Sequence, residues 1–264
     1  MITYVLILFF FTVPLYIPYN AKWKANTLNV AGGFGPGPTL NRLHCPMGLW
    51  VIQNQTVVIA DSLNHRIMKY RFGSKYGRYI AGKNIQGYRN HLLAGPTDIV
   101  FDKRSNSFII CDYHNRRVLQ WFPGNKEYEK VLVGNVECFG VALDDKGYFY
   151  ISDTGQHQVK RYKLGKRRGV VVAGGNGQGG RLKQLNHPTY ICIGEDQVVY
   201  VSDSWNDRVV QWNKGAEAGV IVAGGNGKGK DRNQLDHPAG ILVDRSGTVY
   251  VADHWNNRIM RWYS

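Results

Sequence analysis

Apolar residues in this chain come in short runs of five or six, and the runs recur in a fixed order. VVIAD (57–61), FIICD (108–112), FYISD (149–153), VYVSD (199–203) and VYVAD (249–253) are five versions of one segment. Behind each lies a second shared segment: NHRIMKY (64–70), NRRVLQW (115–121), QHQVKRY (156–162), NDRVVQW (206–212) and NNRIMRW (256–262). Ahead of each lies a third: MGLWV (47–51), TDIVF (97–101), FGVAL (139–143), TYICI (189–193) and AGILV (239–243). A fourth completes the unit: LNVAGG (28–33), YIAGK (79–83), VLVGN (131–135), VVVAGG (170–175) and VIVAGG (220–225). The runs are rich in Val, Ile and aromatic residues and are bounded by Gly, Asn, Asp or Pro, which reads as strands closed by turns. Nothing between them has the length or period of a helix.

The aspartates that end the first set fall at 61, 112, 153, 203 and 253, so the units are 51, 41, 50 and 50 residues apart. Four short strands in a unit of this size make the blade of a β-propeller. Both faces of each run are fairly apolar, as a sheet packed between two others requires. The expected fold is all-β: a propeller of four-stranded antiparallel blades over residues 27–264, with five blades visible. The chain opens on a lone outer strand, 28–33, and closes on inner, second and third strands, 239–262, with no outer one. Pairing 28–33 with 256–262 would close the ring and remove two exposed sheet edges.

The composite VAGGNGxG…QLxHPxGIxVD…VYVxDxxNxRVxxW resembles the NHL repeat, and the resemblance covers residues 27–264. It is most specific over 170–212 and 220–262. No strand ends in the Trp-Asp pair of a WD repeat. The third repeat departs most, lacking the GGNGxG and QLxHP stretches and carrying Gln158 where the others carry arginine. The resemblance implies six blades, one more than the sequence displays. It also implies a range of roles. Some NHL propellers bind RNA, and a related one is the lyase that completes peptide amidation with metals in its channel. Others belong to ubiquitin ligases whose chemistry lies in a zinc domain, which four scattered cysteines cannot build.

The first 21 residues, MITYVLILFFFTVPLYIPYNA, carry no charged side chain. That length suits a signal peptide or, uncleaved, a signal anchor, so the expected location is secreted or at the extracellular face of a membrane. Membrane contact is expected only through this segment. Asn54-Gln55-Thr56 is then a glycosylation sequon. A net charge of +14 favours acidic partners. The most basic stretch, 160–183, suits RNA inside a cell or an acidic glycan outside one, and KLGKRRG also reads as a solvated hairpin tip. Nucleic acid is not expected for an exported chain.

The recurrent Asp61-Asn64-Arg66, Asp112-Asn115-Arg117, Asp203-Asn206-Arg208 and Asp253-Asn256-Arg258 suggest metal ligands or general acids less than hairpin scaffolding. Asp ends one strand, Arg begins the next, and the pair meets across the turn. VAGGFGPG, VAGGNGQG and VAGGNGKG lack the following helix that a phosphate cradle needs, so their glycines serve positive φ at turns. No nucleophile motif and no histidine pair with metal spacing is present. No cofactor is expected. Inner strands hold mainly Leu, Val, Ile and Phe, with Asp98 and Tyr190 as polar exceptions, which departs from the lyase pattern. Strand directions place the loops before the inner strands and the DxxN turns on one face, where Tyr113, His114, His187, Trp205, His237 and Trp255 collect as candidate partner-binding residues. The expected function is a non-enzymatic extracellular binding or scaffold module for a protein or glycan. The alternatives are a propeller enzyme related to the amidating lyase, or an RNA-binding module if intracellular. By the same strand directions Cys111 and Cys138 lie on one face in adjacent blades, within reach of a disulfide.

Overall fold

The computed structural model describes residues 29–52, 54–89, 91–124, 129–166 and 168–263. The apolar segment 1–21 and its signal-peptide reading lie outside the described residues. The first sheet runs β1 (Pro46–Ile52), β2 (Thr56–Asp61), β3 (Arg66–Tyr70) and β4 (Arg78–Gly82). The second runs β5 (Pro96–Asp102), β6 (Ser107–Asp112), β7 (Arg117–Trp121) and β8 (Glu129–Gly134). The third has β9 (Cys138–Leu143), β10 (Tyr148–Asp153), β11 (Gln158–Lys163) and β12 (Val170–Gly174). The fourth has β13 (Pro188–Ile193), β14 (Val199–Asp203), β15 (Arg208–Trp212) and β16 (Val220–Gly224), and the fifth has β17 (Pro238–Val243), β18 (Val249–Asp253) and β19 (Arg258–Trp262). All ladders are antiparallel between successive strands. The protein is a β-propeller of five blades, and the helical pieces among the described residues are single 3₁₀ turns.

Blades hold together face to face. Val58, Ile67, Leu93, Ile99 and Phe108 fill the space between the first two sheets, and Val100, Ile109, Val118, Val141 and Ile151 the next. Val159, Ile191, Val201 and Val210 join the third to the fourth; Val209, Ala223, Ile241 and Val251 join the fourth to the fifth. Burying side chains of this size contributes roughly 1.5–3 kcal/mol each, which is why both strand faces had to be apolar.

The DxxNxR phrase builds the turn between the second and third strands in four of the five blades. In the fourth, Asp203 Oδ1 accepts the N–H of Asn186 at 2.6 Å, and its Oδ2 accepts Asn206 Nδ2 at 2.8 Å and Arg208 Nε at 2.7 Å. Arg208 spreads its remaining N–H groups over the carbonyls of Gly180, Arg181 and Gln184 in the preceding loop. The same pattern recurs at Asp61–Arg66, Asp112–Arg117 and Asp253–Arg258. The third repeat explains itself here: without the long loop there are no carbonyls for a guanidinium to hold, and Gln158 reaches Asp153 alone at 3.4 Å. Gly224 (φ +67°) turns the chain out of β16; a Cβ there would lie 2.5 Å from the Asp207 carbonyl oxygen.

After the 3₁₀ turn that joins the second and third strands of each blade stands a left-handed residue: His65, Arg116, His157, Asp207 and Asn257, with φ of 51–53°. Three of these accept a backbone N–H of the next blade by side chain. His65 Nδ1 accepts the Gly95 N–H at 3.0 Å, His157 Nδ1 that of His187 at 3.1 Å, and Asp207 Oδ1 that of His237 at 2.9 Å. Arg116 does so by its carbonyl, to Val136.

The expected closure is corrected. Among the described residues, 29–33 form no ladder with β19, and the fifth sheet has three strands. Gly32 and Gly33 keep the positive φ of an outer-strand end, and Val30 and Ala31 pack with Leu43 against Leu49, Val57 and Ile59 of the first blade. Ala81, Ala173 and Ala223 of the outer strands pack on the following blade in the same way, so what is missing here is the backbone ladder and not the packing. β19 is left as an edge with Ile259 exposed.

A candidate binding cavity

Five inner strands converge so that their second and third residues line a central mouth. The cavity there measures about 440 Å³. Its floor and walls include Met47, Gly48, Asp98, Phe139, Tyr190 and Gly240, and it opens between Pro46–Leu49 on one side and Asn257–Ile259 on the other. Gly48 is a spatial necessity, since a Cβ would come within 2.0 Å of Asp98 Oδ1.

Of the six expected partner-binding residues, His187, Trp205, His237 and Trp255 line this cavity. They form two parallel stacks in consecutive blades: His187 on Trp205 at 4.5 Å and His237 on Trp255 at 4.1 Å between centroids. The left-handed φ of each histidine, 54° and 50°, sets the ring over the indole. Trp205 remains 52% exposed and Trp255 58%. Lys228 Nζ sits 4.7 Å from the Trp255 ring. Tyr113 stands one step back, edge-on to Phe139 at 5.9 Å, with Phe139 in turn edge-on to Tyr190. His114 packs beside Tyr113 and above Gly95, outside the lining.

Asp98 is the buried carboxylate of the lining without a cation beside it. Its Oδ1 accepts the N–H of Ile99 and its Oδ2 that of Val141, both at 2.9 Å. Burial pushes its carboxyl up to about 7, against the pull of these two bonds. The other buried lining carboxylate, Asp253, is paired with Arg258. Burial also raises Tyr190, with the Asp98 charge adding to it. Burial lowers His187, and His157 and His237 lower it further. His187 Nδ1 is buried with no hydrogen-bond partner in the protein.

Asp207, Asp236 and His237 bring potential metal ligands within 4.8 Å of one another. Those atoms already answer to the protein's own donors: Lys228 lies 3.2 Å from Asp236 Oδ1, and the His237 N–H holds Asp207. Burial pushes Asp236 up, but hydrogen bonds from His237 and Lys228 outweigh it and hold the carboxyl below its usual value.

The remaining candidates lie elsewhere. Cys111 and Cys138 form a disulfide between β6 and β9, Cα atoms 5.2 Å apart. Asn54 is exposed in the β1–β2 turn, on the face opposite the tryptophans. The basic stretch is divided: Arg161 and Lys163 lie on β11 over the Tyr148 ring, and Arg181 and Lys183 lie in the loop before β13.

A family model for the NHL repeat matches residues 235–261. No curated protein sequence matches the chain. Among solved structures it is similar to a streptogramin B lyase, at 10% identity and a TM-score of 0.57 over 85% of this chain and 66% of that one. It is similar to a gluconolactonase from Xanthomonas campestris, at 13% and 0.59 over 80% and 70%. An auxiliary nutrient binding protein from Bacteroides ovatus gives 16% and 0.63 over 83% and 59%. The chain thus spans just under two-thirds of the lyase and less of the nutrient-binding protein. At these identities the likeness is one of fold, and that fold serves enzymes and binding proteins alike.

Proposed function

We propose that this β-propeller, whose last repeat matches the NHL model, is a non-enzymatic recognition module, exported from the cell, that holds a protein partner on its tryptophan-bearing face. The observation that carries this is the pair of His–Trp stacks at the cavity mouth. Each histidine fixes an indole in place, so a partner meets a rigid aromatic surface and little side-chain freedom is lost on binding. Export is supported by the apolar run at 1–21 and by the Cys111–Cys138 disulfide, a bond of oxidising compartments. Binding is favoured over catalysis by Asp98: no histidine or arginine pairs with it among the described residues to relay a proton.

A second reading has its own observation. Lys228 beside Trp255 is an arrangement that would suit an acidic sugar stacked on the indole. The test uses the full chain, immobilised, against extracellular proteins and a panel of acidic glycans, beside the Trp205→Ala/Trp255→Ala variant. Protein capture lost in the variant supports the proposal, with binding weakened at least about tenfold, as for hot-spot tryptophans. Capture equal in both proteins refutes it, and glycan capture alone favours the second reading.

A further inference from the structure

We propose that the central cavity receives an alkylammonium group carried on an apolar body, its charge meeting Asp98 and its body lying among Phe139, Tyr190 and the two His–Trp stacks. This rests on reading the tryptophan face as a binding site and names what that site selects.

Three features of the cavity converge on this chemistry. The first is charge. The chain as a whole is strongly basic, with a net charge of +14, yet the buried ionisable group left without a counter-ion in the lining is a carboxylate. The lining arginine, Arg258, is already spent on Asp253, so an entering anion finds no free guanidinium there. The second is hydrogen-bonding capacity. Asp98 oxygens each accept one backbone N–H and retain a lone pair, and His187 Nδ1 is buried without a partner. A ligand rich in donors matches that set, because a buried acceptor left unpaired is expensive. The third is the wall. Phe139 and Tyr190 meet edge to face at 5.3 Å, and the two indoles stand at the rim. Aromatic faces attract a desolvated ammonium and tolerate its methylated forms. The cavity, at about 440 Å³, holds a small ligand or one inserted side chain, not a folded segment.

The ammonium could belong to a free amine or to a lysine of a bound protein, and the two sources are separable. The full chain is titrated, by calorimetry and tryptophan fluorescence, with 4-phenylbutylamine, 4-phenylbutanol and 4-phenylbutyrate. A second arm uses a capped Phe-Lys-Phe peptide and the same peptide acetylated on lysine. Expected is binding of the amine at least about tenfold tighter than the alcohol, the scale of one charge-assisted bond, and no measurable binding of the carboxylate. Asp98→Asn should bring amine and alcohol together. Tighter binding of the lysine peptide than of the free amine assigns the source to a protein, and the reverse order assigns it to a small molecule. The wild-type comparison stands even if the variant fails to fold. Equal affinity for amine and alcohol, or preference for the carboxylate, overturns the ligand class while leaving the face as a binding site. If no probe binds while partner capture still depends on the two tryptophans, the cavity proposal falls and the functional reading survives.

Discussion

Replacing Arg208 by methionine tests what the repeated Asp–Asn–Arg phrase does. The side chains of Arg208 and Asp203 are 6% and 0% exposed, so the carboxylate would lose its cation inside the protein. Breaking a buried pair in this way typically costs about 3–5 kcal/mol. Asp203 keeps the Asn186 N–H and Asn206 Nδ2, which places the expectation near the lower end, ~3 kcal/mol. The carbonyls of Gly180, Arg181 and Gln184 sit in a loop that water reaches and add little. Arg258→Met removes the same bonds in the fifth blade, but Arg258 is 27% exposed, and solvent screening reduces its loss to ~1 kcal/mol. Burial already pushes the Asp203 carboxyl above its usual value. Without Arg208 it would rise further and take up a proton in the folded state, so the loss should shrink as pH falls. Urea unfolding at neutral pH, followed by tryptophan fluorescence and circular dichroism, reads all of this. Equal losses in the two variants, or a loss below about 1 kcal/mol at Arg208, would refute the buried-pair argument.

Asp98 gives the clearest pH signature. Its folded carboxyl titrates near 7 against 3.8 for the free group, so the folded state holds a proton that the unfolded state has lost, and stability falls as pH rises across that window. Asp98→Asn should therefore gain melting temperature over the parent as pH rises between about pH 4 and pH 7; a flat difference would contradict the burial. His65 and His187, lowered chiefly by burial, pull the parent the other way, and for this reason the variant is compared with the parent at each pH. Reducing the Cys111–Cys138 bond, which spans 27 residues, should cost ~3 kcal/mol in urea unfolding. Gly224→Ala should cost at least ~2 kcal/mol through its clash with the Asp207 carbonyl, whereas Gly215→Ala, also at positive φ but with nothing within 4 Å, should cost only ~1 kcal/mol.

The blades were legible because every strand type recurs five times, and repetition supplies its own control for strand boundaries. The turn networks were half legible. Asp–Arg pairing across the hairpin follows from spacing, but the arginine's other role, holding the loop carbonyls 24 to 28 residues earlier, needs coordinates. Closure misled because local likeness is not pairing: residues 29–33 carry the glycine geometry and the next-blade packing of an outer strand, yet among the described residues they form no ladder with β19. Four of the six candidate residues do meet at the cavity, since strand direction alone puts those turns on one face. Phe139 and Gly48 were missed, and Asp98 was noted only as an exception to apolar inner strands. The signal was there in position: each occupies the second or third place of an inner strand, where that strand enters the mouth.

The junctions between blades also bear on how such a chain grows. The left-handed residue after one turn meets the N–H ahead of the next inner strand, and the same two positions meet at three of the four junctions between consecutive blades. A unit copied whole carries a socket at one end and its matching plug at the other. Tandem duplication can then lengthen the array without any new junction having to arise by chance. The fourth and fifth repeats, 170–212 and 220–262, share 21 of 43 residues, most of them at the turn and junction positions. Seen in this way, the number of blades is a quantity that inheritance can step up or down by one.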